Sequence, residues 1–237
     1  MTASARRLRD VSVASVALTI AGPLAAAGGL LAWLEDHGPV LYRSQRIGKD
    51  GEPFDLLKLR TMRIDAHLFK VDTTSADDPR ITRVGRFLRR TKLDEVPQFV
   101  NVMRGEMGLV GPRPNVAREV ALYDADERRL LTMRPGVTDL ASVALSDLAE
   151  LVAGLGEPNE AYRVHIRPNK TKLGLYYVDN QGGLLDALAL LLTVVAVFSP
   201  VTARRWLISA ARRFEADTQV MTALDSIAAL ADRTPVS

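Results

Sequence analysis

Residues 78–114 read DPRITRVGRFLRRTKLDEVPQFVNVMRGEMGLVGPRP. Two helices, a charged turn between them and a rigid closing loop can be read from this run. Ile81, Val84 and Leu88 recur at helical spacing while Arg83, Arg86 and Arg90 occupy a neighbouring strip, so the pattern predicts a basic amphipathic helix over 80–92. A second helix is predicted from Leu93-Asp94-Glu95, with Asp94 as its N-cap. Pro97 then falls in the first turn, where its missing N–H is harmless. Val96, Val100 and Met103 form the expected apolar stripe until Gly105 ends it. Two prolines flank Arg113 and exclude helix there, giving a stiff turn that fixes where the guanidinium points.

Asp94 and Glu95 are the sharpest chemical feature of this run. Neighbouring residues inside a helix point about 100° apart, so adjacent carboxylates share one cavity only at a helix start. The helix dipole there favours ionised carboxylates and would keep an aspartate available as a nucleophile. Such a pair also serves as a plain cap, and the surrounding cations are what favour chemistry. Arginine-rich sequence precedes the pair and Arg113 follows it. Carboxylates among guanidinium groups suit phosphoryl transfer with a divalent cation, because arginine grips phosphate oxygens and the metal offsets charge repulsion. There is no Walker A sequence and no GxSxG elbow, and His37, His67 and His165 lack zinc spacing.

Upstream, residues 38–62 alternate apolar and polar positions around Lys49-Asp50-Gly51, the pattern of a β-hairpin with a basic second strand. Residues 11–34 are apolar or small, preceded by Arg6, Arg7 and Arg9 and followed by Glu35 and Asp36. Gly22-Pro23 lies near the middle of this segment, where proline removes a backbone donor and a bend is expected. The segment reads either as two half-helices that enter and leave on one side or as a kinked span. Downstream, residues 123–133 and 146–161 read as helical, and 184–198 is an apolar run broken by Asp186. Arg204, Arg205, Arg212 and Arg213 follow it, as on a membrane-surface helix.

The 237 residues are 47% hydrophobic and 25% charged, with net charge +3 and no cysteine. Disulfides and thiolate metal sites are therefore excluded. The clustered arginines suggest an anionic partner. No aromatic stacking pattern supports nucleic acid.

The chain resembles the bacterial sugar transferases, the monotopic phosphoglycosyl transferases that initiate glycoconjugate assembly. The resemblance rests on GPVLYRSQRIGKDGEPFDLLKLRTM (38–62), the 78–114 run, MRPGVT (133–138) and KLGLYYVDN (172–180). It implies an α/β fold, mostly helical with a small β-hairpin or sheet. A re-entrant N-terminal helix broken at Gly22-Pro23 is implied over 1–36, a catalytic domain with interfacial helices over 37–205, and a peripheral tail over 206–237. Asp94 would be the nucleophile toward a UDP-sugar, forming a phosphosugar-aspartyl intermediate that polyprenyl (undecaprenyl) phosphate resolves. Glu95, with Asp94, would hold Mg²⁺ or assist the second step. Lys58, Arg60, Arg86, Arg90 and Arg113 would bind phosphate. The resemblance further implies the bacterial inner membrane, with the catalytic domain on its cytoplasmic face, exopolysaccharide or other glycoconjugate synthesis, and contact with membrane lipid. Oligomeric state, a homodimer included, stays open. Two departures bear on the donor: Asp139-Leu140-Ala141-Ser142 stands where many members have Gly-Trp-Ala-Gln, and Gly174-Leu175 lacks the acidic residue common before the Tyr-Tyr segment. The alternative is an inactive membrane scaffold of the same fold.

Overall fold

Lys49-Asp50-Gly51 turns the chain as its sequence suggests. Asp50 and Gly51 both take positive φ, 57° and 85°, conformations that aspartate tolerates and glycine favours. The turn joins β1 (Leu41–Ile47) to β2 (Pro53–Leu59) in an antiparallel pair, with Leu41 opposite Leu59 and Tyr42 opposite Lys58. The computed structural model describes residues 2–68, 78–153, 155 and 157–233. These fall into two compact units, one holding 2–68 and 79–137, the other 78 and 138–233. The protein is mostly helical with small two-stranded sheets.

In the first unit the N-terminal segment is one continuous helix, α1 (Ala3–Asp36), with Pro23 inside it. At 1.5 Å per residue its 34 residues reach about 51 Å. The chain therefore stays helical through Pro23, and the two separate half-helices expected at Gly22-Pro23 do not appear. Among the described residues α1 is the one helix long and apolar enough to cross a bilayer. One side of it packs through small residues: Ala25 and Ala32 share a core with Leu59, Leu88 and Val96, joined at its margin by Leu18 and Ala21. The other side exposes Leu8, Val16, Ile20, Leu24, Leu31 and Leu34.

Polar contacts bind α1 at both ends. Arg7 donates to the carbonyls of Val102 (2.5 Å) and Met103 (2.9 Å), which close the last turn of α3 (Gln98–Arg104). Cations suit that end of a helix. At the far end, Glu35 accepts from the backbone N–H groups of Arg83 and Val84, and Thr82 Oγ1 accepts from Gly85 N–H. Three orphan donors at the start of α2 (Arg83–Arg90) are thereby satisfied. This helix is shorter than the predicted 80–92, because Ile81 instead forms an isolated β-bridge with Met62.

Lys92 takes a left-handed conformation (φ 57°) and turns the chain out of α2 into a single 3₁₀ turn, Leu93–Glu95. Asp94 is thus not the N-cap of α3; Pro97 holds that position. The buried side of α3 also differs from the expected Val96, Val100 and Met103 stripe. Gln98, Asn101 and Val102 are its buried residues, and Met103 is exposed. Asn101 extends the open edge of β2, accepting from Leu57 N–H (3.1 Å) and donating to the Asp55 carbonyl (2.7 Å). The chain continues through β3 (Gly108–Val110), the Pro112–Arg113–Pro114 loop, α4 (Ala117–Val120) and a 3₁₀ stretch over Glu127–Thr132 to β4 (Gly136–Thr138), which pairs with β3. The charged segment expected as helix over 123–133 is 3₁₀ where it is helical at all.

The second unit contains α5 (Leu140–Ala144), α6 (Leu148–Ala153), α7 (Pro158–Ala161), α8 (Arg167–Asn180), α9 (Gly183–Phe198), α10 (Pro200–Arg213) and α11 (Thr218–Arg233). The helix expected over 146–161 is two short ones, and its residues 154 and 156 lie outside the described residues. Asp139, the first residue of one sequence departure, is buried and caps α5 by accepting from Ser142 N–H. Asp186, which interrupts the apolar run of α9, is buried and accepts a hydrogen bond from Tyr177 Oη. Arg204 is not a surface cation: it is buried, pairs with Asp147 and donates to the Ala144 carbonyl. The C-terminal stretch read as a tail is helical in α11, which buries Val220, Leu224 and Ile227.

Candidate active site

The 3₁₀ turn carrying Asp94 and Glu95 lies where β2, α2 and α3 meet in the first unit, and the two carboxylates occupy different environments. Asp94 is buried, and its Oδ1 has no hydrogen-bond partner among the described residues. Glu95 is about one-quarter exposed at its side chain and held from two sides. Lys58 Nζ of β2 lies 3.0 Å from Oε1, and Arg113 Nη2 lies 3.1 Å from Oε2. Arg113 is aimed in turn by Gln98 Oε1 (2.9 Å from Nη1) and by the Val137 carbonyl, to which Nη1 also donates.

Why the loop can hold Arg113 so firmly is visible in its neighbours. A β-carbon on Gly111 would stand 2.6 Å from the Arg134 carbonyl oxygen, so only glycine lets the two backbones approach here. Beyond the prolines, the Asn115 carbonyl accepts from Ile47 N–H (2.9 Å), and Asn115 Nδ2 donates to Tyr123 Oη (2.6 Å).

These environments push the two acids apart. Burial raises the Asp94 carboxyl above its ordinary range; Lys58, Arg89 and Lys92 oppose this and the charge of Glu95 adds to it. Burial also acts to raise Glu95, but Arg113, Lys58 and Lys92 together outweigh it and hold that carboxyl well below the usual range. The helix dipole anticipated from sequence is not what governs Asp94, because it does not cap α3 and desolvation dominates.

Of the residues singled out in the sequence, Lys58, Asp94, Glu95 and Arg113 come together. Arg60 does not join them. It is buried, and all five of its N–H groups are used: two on Asp36, and one each on the carbonyls of Ala32, Pro39 and Met62. Arg60 therefore bolts the end of α1 to β2 and has no donor left for a phosphate. Arg86 and Arg90 are exposed on α2. Arg89, between them, turns inward instead and donates to Thr61 Oγ1 (2.8 Å). Gln98 and Arg89 were missed in the sequence. The one available signal was their register, Gln98 four residues after Asp94 and Arg89 one residue after the buried Leu88.

Among the described residues no three histidine or acidic side chains cluster as a metal site. Each Glu95 oxygen engages one cation and keeps a second lone pair, while Asp94 Oδ1 is unbonded. That set fits Mg²⁺, which draws most of its six ligands from water and substrate phosphates and needs only one or two carboxylates.

A sequence model of the family described as bacterial sugar transferase matches residues 1–200. The chain is 46% identical over 109 residues to a Bacillus subtilis protein with the provisional name undecaprenyl-phosphate N-acetylgalactosaminyl 1-phosphate transferase, covering 46% of this chain and 61% of that one. It is 38% identical over 141 residues to the UDP-glucose:undecaprenyl-phosphate glucose-1-phosphate transferase of Escherichia coli, covering 58% and 30%. It is 35% identical over 207 residues to the exopolysaccharide production protein ExoY of Sinorhizobium fredii, covering 81% and 84%. The chain thus spans less than two thirds of the Bacillus and Escherichia relatives and most of the Sinorhizobium one.

Proposed function

The chain belongs to the bacterial sugar transferase family, and on that footing we propose that it is a phosphoglycosyl transferase moving a sugar phosphate from a UDP-sugar to polyprenyl (undecaprenyl) phosphate. The observation that carries this reading is the convergence of Lys58 and Arg113 on Glu95 beside the buried, unbonded Asp94 oxygen. An Asp94 oxygen attacks the β-phosphorus of the donor, the bond to the bridging oxygen breaks, and uridine monophosphate leaves with that oxygen. An oxygen of the lipid phosphate then attacks the phosphosugar-aspartyl phosphorus and expels the Asp94 carboxylate, leaving a polyprenyl diphosphosugar. Lys58 and Arg113 neutralise Glu95 in the resting site and would give charge-assisted hydrogen bonds to diphosphate oxygens as these enter. A bound magnesium ion would be held by Glu95 and Asp94 and would offset repulsion between carboxylate and diphosphate. Names of relatives that include undecaprenyl-phosphate sugar-1-phosphate transfer and exopolysaccharide production support the same assignment and a role in initiating such a polymer.

Membrane lipid is the surface on which this reaction would run. The exposed apolar side of α1 supports membrane association, as do, in the second unit, exposed Leu184, Leu191, Phe198 and Trp206 accompanied by Arg205, Arg212 and Arg213. UDP-sugars and the basic N-terminus favour the cytoplasmic face of the inner membrane. A re-entrant course with Pro23 at its tip belongs to this proposal.

The reading is tested by nucleoside monophosphate release from a panel of UDP-sugars, with Mg²⁺ and undecaprenyl phosphate. Release from one donor is expected; silence from folded, membrane-bound protein with every donor would favour the inactive scaffold. The pH dependence of kcat/KM is a further check. Because Asp94 must be ionised to attack and burial raises its carboxyl, activity should fall on the acid side at a pH above the ordinary aspartate range. An acid limb at or below that range would contradict the role given to desolvation.

A further inference from the structure

Gln98 is fully buried at the start of α3, and its two amide atoms have different fates. Arginine carries no acceptor, so the atom facing Arg113 Nη1 at 2.9 Å must be the oxygen. That assignment leaves Nε2, a donor of two hydrogens, facing away from Arg113 with no partner among the described residues. Asp94, four residues earlier in the 3₁₀ turn, is also buried and leaves Oδ1 unpartnered. A buried amide N–H₂ without an acceptor is costly and uncommon, and it calls for a group that arrives later. The acceptor that the proposed reaction brings to this cluster is an anionic phosphoryl oxygen, the same group that Lys58 and Arg113 would neutralise.

We propose that Gln98 is a further substrate-binding residue of this site: its Oε1 fixes the Arg113 fork, and its Nε2–H donates to an oxygen of the phosphoryl group that Asp94 receives. The assignment rests on the transferase reading for the identity of that group. It deepens that reading by giving the site a neutral, preorganised donor beside its cations. Such a donor is already in place and needs no reorganisation as charge shifts during transfer. Lys58, by contrast, is a charged donor already held against Glu95 in the resting site. Gln98 thereby links the arginine and the incoming phosphate.

Selective ¹⁵N labelling of glutamine side chains in the full-length protein gives four amide signals, from Gln45, Gln98, Gln181 and Gln219. The Gln98 signal is assigned by its loss in Gln98→Met. Titration with UDP and Mg²⁺ should move that signal saturably and leave Gln181 and Gln219 in place. Gln98→Met, with far-UV circular dichroism matching the parent, should lose about 100-fold in kcat while KM for the UDP-sugar changes by less than about threefold, the pattern of a lost transition-state donor. Gln98→Glu keeps an acceptor for Arg113 but removes the donor, and it should be no more active than Gln98→Met. Recovery of activity in Gln98→Glu would reduce Gln98 to a brace for Arg113 and overturn the proposal. So would a parent enzyme that transfers sugar phosphate while its Gln98 amide signal ignores UDP. A saturable shift in a protein that transfers nothing would instead uphold the contact and remove the transferase reading.

Discussion

Asp94→Asn is expected to abolish transfer and yet leave the protein at least as heat-stable as the parent when both are melted without divalent cation. The loss of activity should be on the order of 10⁴-fold or more, because the amide cannot form the acyl phosphate on which both half-reactions depend. No radiolabel from a sugar-labelled donor should remain on the variant after denaturation, whereas the parent should retain it. The stability outcome follows from linkage. Burial raises the folded-state carboxyl of Asp94 above its unfolded value, so the neutral form suits the fold. The stability this group contributes is fully present below the unfolded value and is lost as pH rises through the folded one. At neutral pH the ionised, unpartnered oxygen therefore works against folding, and a neutral isostere relieves it. Glu95 has the opposite sign: Arg113 and Lys58 hold its folded carboxyl low, so its contribution is present at neutral pH and fades as pH falls through the ordinary glutamate range and below. Glu95→Gln should accordingly lower the melting temperature at pH 7, in contrast to its neighbour. If Asp94→Asn melted well below the parent, Asp94 would be a structural acid rather than a strained functional one.

How much of this site could be read from the residue order depends on what kind of interaction each residue makes. The hairpin was legible because Asp50-Gly51 encodes its own turn and alternation encodes the faces of β1 and β2. Arg113 was legible because proline on both sides leaves its loop few conformations. Arg60 was not, since its basic character suggests phosphate and only the fold reveals Asp36 and three carbonyls around it. A pattern read for apolar periodicity likewise passes over Gln98 and Asn101, which lie on the inward side of α3, where the Gln98 oxygen accepts from Arg113 and the Asn101 amide pairs with the β2 edge. The same limitation applies to Arg204, whose partner Asp147 is 57 positions away. The segment around Pro23 is a different case. Its sequence licenses a bend, but proline inside a long helix is tolerated where the flanking small residues pack, and Ala21 and Ala25 do so here.

Gly85→Ala is expected to be the most damaging single-methyl change in the first unit. Gly85 sits in the first turn of α2 directly over the end of β2, and a β-carbon built there would lie 2.0 Å from the Thr61 carbonyl oxygen and 2.7 Å from its carbon. Both are backbone atoms, so no side-chain rotation can make room; α2 and the strand end must part. The contact is not isolated. Thr82 N–H donates to that same Thr61 carbonyl (3.1 Å), Arg89 donates to the Thr61 hydroxyl, and Leu88 beneath α2 fills the core against Gly28 of α1. Lifting α2 thus weakens the α1 contact and moves the turn through Lys92 that presents Asp94 and Glu95. The cost should be about 3 kcal/mol or more, at the upper end for overpacking because the clash is rigid. Activity should fall with it even at temperatures where the variant is folded, since Arg89 and Lys92 shift relative to Asp94. Gly22→Ala provides the control. A β-carbon there meets nothing within 4 Å, and alanine favours helix by about 1 kcal/mol, so that variant should melt at or above the parent temperature. Chemical denaturation of the two variants side by side, in one detergent, tests the argument. A Gly85→Ala protein as stable and active as Gly22→Ala would mean that α2 does not rest on Thr61, and that the dyad is positioned by something other than this junction.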